Sequence, residues 1–173
     1  DSPITWFATY IFMSTGQSVT PYHMDREMNF LLQIHGDKEA CLWNGYDDMV
    51  IKPHERDLLL ANFSAKRPQF RDELDKYGKQ FELKPGTGLH HPFIAPHLIS
   101  TKSQRSISLA VTYRTELSDI WTDAHCFNHH ISKLGLAPRP IRVRHNSDYR
   151  KAKTIRFARK ALEPFKKIRK LIT

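Results

Sequence analysis

Two histidine-bearing segments set far apart constrain this chain more than anything else in it. His23-Met24-Asp25 comes early, within TPYHMD, and His97 comes late, closing HHPFIAPH. Two imidazoles and one carboxylate form the facial set that holds Fe(II) while leaving other positions on the ion open. On a β-strand, residues i and i+2 point to the same face. A strand through 23–25 therefore aims His23 and Asp25 at one ion and turns Met24 away. His97 can join them only if a later strand returns beside the first, which calls for a barrel rather than a helical fold. With 10 His in 173 residues, such a pattern also arises by coincidence, so its surroundings must carry weight.

Those surroundings read as short strands divided by turns. Residues 4–13 are rich in aromatic and β-branched types, and 14–18 are a turn. Val19 to Asp25 leads into the first metal strand. Asn29 to Ile34 and Lys38 to Trp43 follow as strands, split by a turn at Gly36-Asp37. Residues 53–62 read as a helix with Pro53 near its start. Residues 68–80 are loop or short helix, and 81–83 a brief strand. Pro85-Gly86-Thr87-Gly88 is a strong turn signal, after which Leu89 to Pro96 approaches His97. Ser106 to Tyr113 alternates, with Ile107, Leu109 and Val111 on one face and Ser108, Ala110 and Thr112 on the other. Many short strands with Gly/Pro turns fit a jelly roll, the double-stranded β-helix of cupins. Residues 1–115 are expected to form this mainly β domain and 116–173 a helical extension. In the extension, 117–134 reads as a helix ending near Gly135, and Pro138-Arg139-Pro140 as a hinge. Asn146 or Ser147 is placed to cap a helix from Asp148. That helix carries apolar positions at Ile155, Ala158, Leu162, Phe165, Ile168 and Leu171, and Pro164 is expected to bend or break it.

Charge divides at the same place. Residues 139–173 carry 13 Lys/Arg against 2 Asp/Glu, whereas 1–138 carry 14 against 16. The body is nearly neutral and the tail holds the excess. The tail is equally a solvated helix face or a contact for a phosphate-rich partner such as nucleic acid. No helix-turn-helix, zinc-finger or RNA-binding aromatic motif accompanies it. No apolar run approaches the ~18 residues of a membrane span, so no transmembrane segment is expected. Cys41 and Cys126 form neither a metal motif nor a disulfide framework, and a cytoplasmic location is the default expectation.

The stretches TPYHMDREMNFLLQIHGDK, ELKPGTGLHHPFIAPHLIS and SISLAVTYRT occur in the order of a known family. Over roughly residues 5–115 the chain resembles the cupin-like JmjC-type oxygenases, asparaginyl hydroxylases among them. It looks closer still to small bacterial cupin-like proteins, some labelled transcriptional regulators. The resemblance implies Fe(II), 2-oxoglutarate and O₂ as reactants and His23, Asp25 and His97 as metal ligands. It implies Lys38 as the partner of the distal carboxylate of 2-oxoglutarate, Thr20 as a hydroxyl donor to the same group, and Asn29 as a polar pocket residue. A flexible cation and a directional hydroxyl suit a small dianion. The chain departs from the pattern in two places. Ala110 and Thr112 stand where asparaginyl hydroxylases present an Asn toward the cofactor, and Thr112 is the cofactor-binding residue expected there. His90, His91 and Phe93 replace the usual hydrophobic run, either as a substrate mouth or as ordinary surface and core residues.

The reading that results is an Fe(II)- and 2-oxoglutarate-dependent oxygenase that hydroxylates a peptide side chain or a small metabolite. A homodimer is expected from the same resemblance. The alternatives are a non-enzymatic cupin, binding a metal or ligand and acting as a regulator through its basic tail, and a cupin enzyme that uses its metal without 2-oxoglutarate. The ligand set does not fix the metal, since Mn, Co, Ni and Zn accept the same donors.

Overall fold

The computed structural model describes residues 2–62 and 67–172, with side chains described as far as residue 162. Two compact units are present, Asp1–Glu55 with Lys66–Ser118 and Arg56–Ala65 with Asp119–Thr173. The first unit holds the strands β1 (Ile4–Thr15), β2 (Val19–His23), β3 (Met28–His35), β4 (Lys38–Leu42), β5 (Lys79–Leu83), β6 (Gly88–His91), β7 (His97–Thr101) and β8 (Arg105–Thr115). They form two four-stranded sheets, ordered β1-β8-β3-β6 and β2-β7-β4-β5. Every pairing is antiparallel. The chain changes sheets at every connection except β4 to β5. This winding makes a double-stranded β-helix, so the expected cupin jelly roll is the observed fold.

Register defines what faces the interior. In the first sheet, Ala8, Thr112, Asn29 and His91 make one inward row. Tyr10, Ala110, Leu31 and Leu89 make the next, and Phe12, Ser108 and Gln33 the one after it. In the second sheet, His97 lies opposite Leu42, Ile99 opposite Ala40 and Thr101 opposite Lys38. The middle rows supply the core: Leu31, Ala40, Leu42, Leu83, Leu89 and Ala110, with Phe81 and Ile99 packed against them. Burial of each large apolar side chain contributes about 1.5–3 kcal/mol.

The alternation of β8 is inverted relative to an ordinary half-buried strand. Ser106, Ser108 and Ala110 are buried, whereas Ile107, Leu109 and Val111 are only partly covered on the outer face. Neighbouring strands extend that outer face with Phe7, Ile11 and Met13 (68%, 69% and 77% exposed) and with Phe30, Leu32 and Ile34. The barrel interior is therefore unusually polar beside β8, and one sheet presents apolar side chains to water. A second feature lies on the side where β1 and β2 are edge strands. Tyr10, Phe12, Ser18 and Thr20 occupy inward positions yet are exposed, so solvent reaches the interior between those edges.

The segment leading into β7 is held by close backbone packing. Ile94 has φ 53°, a left-handed conformation costly for a β-branched residue, and is fully buried. Gly45 lies against it so tightly that a Cβ there would meet the Ile94 carbonyl oxygen at 2.3 Å.

The second unit contains most of α1 (Pro53–Ala61) and of α2 (Glu116–Ser132), and all of α3 (His145–Ile172). Pro53 opens α1, where a missing N–H is harmless, and Glu55 accepts a hydrogen bond from the Lys52 N–H. His125 of α2 meets Asp57 of α1 at 2.6 Å. Asp123 is clamped by Arg156 and Arg159 of α3, so part of the basic tail is paired rather than simply solvated. The carbonyl of Arg139 accepts from both Asn128 Nδ2 and Lys151 Nζ. α3 starts at His145, three residues before the expected Asp148, because Asp148 instead accepts the Arg142 N–H inside the first turn. Ile155 and Ala158 are half-buried, but Leu162 is exposed, so the expected apolar packing stripe is covered only in part. The helix runs without a break through Pro164; the side chains of Phe165, Ile168 and Leu171 lie outside the described residues.

Gly45→Ala is expected to lower the thermal midpoint by several degrees, through the clash with Ile94. It also displaces Ala95, on which His97 leans, so cobalt affinity measured by titration should fall with it. Unchanged values for both would show that the Ile94 segment yields without cost.

Candidate metal centre

The spacing Thr20-x-x-His23 puts two residues three apart, which on a regular strand face opposite ways. β2 breaks that rule. Thr20 pairs with Ile99 and His23 with His97, so three steps on β2 match two on β7. This bulge turns both Thr20 and His23 inward. It also sets His23 directly opposite His97, with ring centroids 4.2 Å apart.

Asp25 arrives differently from the sequence expectation. β2 ends at His23, so Asp25 is not on the strand with it. Met24 is buried at 1% exposure and anchors the chain, which then bends at Arg26–Glu27 to begin β3. Asp25 reaches the site from that loop. Its Oδ2 lies 3.8 Å from His23 Nε2 and 4.0 Å from His97 Nε2, and the three donor atoms lie within 4.8 Å of one another.

The donor chemistry fits a divalent ion. His23 Nδ1 is 2.8 Å from the Pro21 carbonyl and His97 Nδ1 is 3.0 Å from that of Ala95. A carbonyl can only accept, so each Nδ1 carries the proton and each Nε2 presents a lone pair. Burial pulls the pKa of His97 below the usual imidazole range, helped by His23 and opposed by the Ala95 carbonyl and Asp25, so His97 is neutral and ready to ligate. Arg67 Nη1 sits 3.8 Å from Asp25 Oδ1 and offsets its charge. Nothing in the sequence marked Arg67, which belongs to a loop distant in the chain.

The remaining expected residues fall on the inward face. Asn29 Oδ1 accepts from Thr112 Oγ1 at 3.4 Å, in the row that also holds His91. Lys38 is 6% exposed, and its Nζ donates to Ser108 Oγ at 2.7 Å. Ser108 in turn donates to Gln33 Oε1. Burial lowers the Lys38 pKa, and no carboxylate pairs with it among the described residues. Thr20 faces inward at the open edge but makes no hydrogen bond to Lys38 among the described residues. Ser108 and Gln33 escaped the sequence reading, although the small polar face of β8 was the available signal.

The three residues of the second departure, His90, His91 and Phe93, separate. His90 lies on the outer sheet face, its ring tilted against Phe30 and 3.1 Å from the Tyr113 hydroxyl, so it borders no inner mouth. Phe93 is buried. His91 faces inward and touches His97, ring centroids 4.4 Å apart.

No family model and no curated protein matches the chain. Solved structures do resemble it. CENP-C of Drosophila melanogaster bound to CAL1 is 8% identical, over 60% of this chain and 60% of that one, with a TM-score of 0.41. Hydroquinone 1,2-dioxygenase from Sphingomonas sp. TTNP3 is 13% identical over 63% and 60%, TM-score 0.41. Oxalate decarboxylase from Lactobacillus farciminis is 12% identical over 76% and 32%, TM-score 0.41. The chain thus spans 60% or less of each of these. The fold assignment rests on the strand order and register of the chain itself.

The histidine cluster makes the metal-free protein acid-sensitive. Burial and the neighbouring His97, His90 and His23 push His91 down to about 3. The unfolded imidazole titrates near ~6.5. Between those values the unfolded chain binds more protons, so stability is complete above about pH 6.5 and is lost as the pH falls toward 3. At roughly 1.36 kcal/mol per pH unit, lowering the pH from 7.5 to 5 costs about 2 kcal/mol through His91 alone. Urea midpoints of wild type and His91→Leu at the two pH values should show a shallower loss in the variant.

Proposed function

We propose that this protein is an Fe(II)- and 2-oxoglutarate-dependent oxygenase. The observation that carries the reading is Lys38. A buried ammonium with only a hydroxyl for a partner among the described residues is costly, and a ligand carboxylate offsets that cost. Lys38 shares the barrel interior with the triad, two inward rows from His97, roughly 13 Å along the strand before the lysine's own reach is counted. Ala40 and Ala110 face the intervening rows beside the core residues Leu31, Leu89 and Ile99. A short diacid, one end on the metal and the other on Lys38, suits these positions.

Iron and 2-oxoglutarate, when bound, supply the oxidising chemistry that inserts oxygen from O₂ into a C–H bond while the oxo acid becomes succinate and CO₂. The chain's own residues bind and orient. His23 and His97 offer Nε2, with their protons fixed on Nδ1, and Asp25 adds the anionic donor. Lys38, held by Ser108 and Gln33, takes the distal carboxylate. Thr20, inward-facing at the open edge, is placed to add a hydroxyl donor. Asn29 and Thr112 set a polar wall. The substrate is a peptide side chain or a small metabolite, admitted where the interior opens. The bare apolar face of the first sheet supports the homodimer expectation, since such faces are commonly covered.

His23→Ala should abolish specific cobalt or iron binding in calorimetry, and with it iron-dependent succinate formation. Lys38→Ala should keep the metal but lose about 1.5–3 kcal/mol of 2-oxoglutarate affinity. Equal affinity in wild type and Lys38→Ala, or no 2-oxoglutarate binding to the metal-loaded wild type, would remove this reading.

A second reading, a regulator whose tail binds phosphate groups, has one observation in its favour. The helical unit contains a cavity of about 770 Å³ lined by Arg139, Arg144, His145, Arg150 and Lys151 among others. Arg139, Arg144 and Arg150 make no ion pair among the described residues. If this reading holds, duplex DNA binding should fall steeply between 50 and 200 mM salt. It should weaken when these three arginines become glutamine. No binding at low salt leaves the tail as an ordinary charged surface.

A further inference from the structure

His91 is a buried group of the barrel that neither the metal triad nor the Lys38 network uses. It is 3% exposed, and neither ring nitrogen has a hydrogen-bond partner among the described residues. An imidazole buried in this state has lost its water without replacement, at a cost of about 1–3 kcal/mol. A leucine would fill a similar space without that cost. Its neighbours show where the missing partner belongs. His91 contacts His97 on one side, and its row continues through Asn29 to Thr112, the polar wall nearest the triad. It does not belong to the set of donor atoms that gather within 4.8 Å around one ion position. The ring is therefore beside the candidate ion position but outside that donor set, and it faces the interior. A neutral imidazole carries one N–H donor. The group that satisfies it must be an acceptor held close to the ion.

We propose that His91 is a ligand-binding residue of this centre, donating its ring N–H to a carboxylate oxygen of the oxo acid held on the inward side of the metal. The proposal rests on the metal site proposed above but not on the diacid. A monocarboxylate 2-oxo acid meets His91 as well as a longer one does. Lys38 and His91 thus read opposite ends of the same ligand: Lys38 distinguishes a diacid, and His91 holds the end common to all 2-oxo acids.

The test uses the full chain loaded with Co(II), whose visible absorption reports both ion binding and ligand uptake. Pyruvate and 2-oxoglutarate are the two probes. His91→Leu should bind Co(II) within about threefold of wild type and bind both oxo acids about tenfold more weakly, as for one charge-assisted hydrogen bond. His91→Gln, which restores a donor, should recover most of that loss. Lys38→Ala should weaken 2-oxoglutarate and leave pyruvate unchanged. Wild-type protein that takes pyruvate but not 2-oxoglutarate ends the diacid reading and leaves the His91 proposal to be judged on pyruvate. Equal oxo-acid affinities in wild type and His91→Leu overturn the proposal. So does a tenfold loss of Co(II) with a changed ligand-free spectrum, which would make His91 a direct ligand. Failure of His91→Gln to improve on His91→Leu also overturns it, leaving a packing role. Uptake of neither probe by the wild type sinks both.

Discussion

The pairing of β2 with β7 is the constraint on which the centre depends. It sets His23 against His97 across a single pair of hydrogen-bonded strands, and the bulge between Thr20 and His23 decides which side chains turn inward. A one-residue slip in this ladder would send every side chain of β2 to the opposite face. The candidate metal site is thus not a pocket lined by convenient residues but a property of one register. Asp25 contributes a third donor only because Met24 is buried and holds the loop beneath it.

Much of this was legible in the sequence, and the reasons are specific. Turn residues at Gly36, Gly86 and Gly88 marked the strand ends, and β-branched and aromatic runs marked the strands between. The requirement that His97 return beside His23 followed from geometry, and the fold meets it with neighbouring antiparallel strands. Asp25 was misplaced on the strand because alternation alone cannot reveal where a strand stops. The inward positions of Thr20 and His23 were not derivable from spacing, since a bulge leaves no mark in composition. Arg67 and the Gln33–Ser108 network were invisible for another reason: they depend on long-range pairing. His90 and His91 are adjacent and chemically identical, yet the strand period places one outside and one beside the metal position.

Polar groups inside this barrel are arranged by chemistry rather than scattered. The Lys38, Ser108 and Gln33 chain satisfies its own members and leaves only the ammonium charge uncompensated. Neither ring nitrogen of His91 has a hydrogen-bond partner among the described residues. Buried polar groups elsewhere in proteins are nearly always satisfied, so each group that is not calls for a physical explanation. Lys38 and His91 lie on opposite sides of a core of small and aliphatic side chains.

The inverted alternation of β8 reaches beyond the site. Because the interior of the first sheet is partly hydroxyl and amide, its aliphatic residues face outward, where folding leaves Phe7, Ile11 and Met13 in water. Heat capacity of unfolding follows the apolar area newly exposed. A native state that already shows so much of that area has less left to expose. While that sheet stays bare, the stability of the protein changes with temperature along a flatter curve than its length alone would set. Its dependence on denaturant is shallower for the same reason.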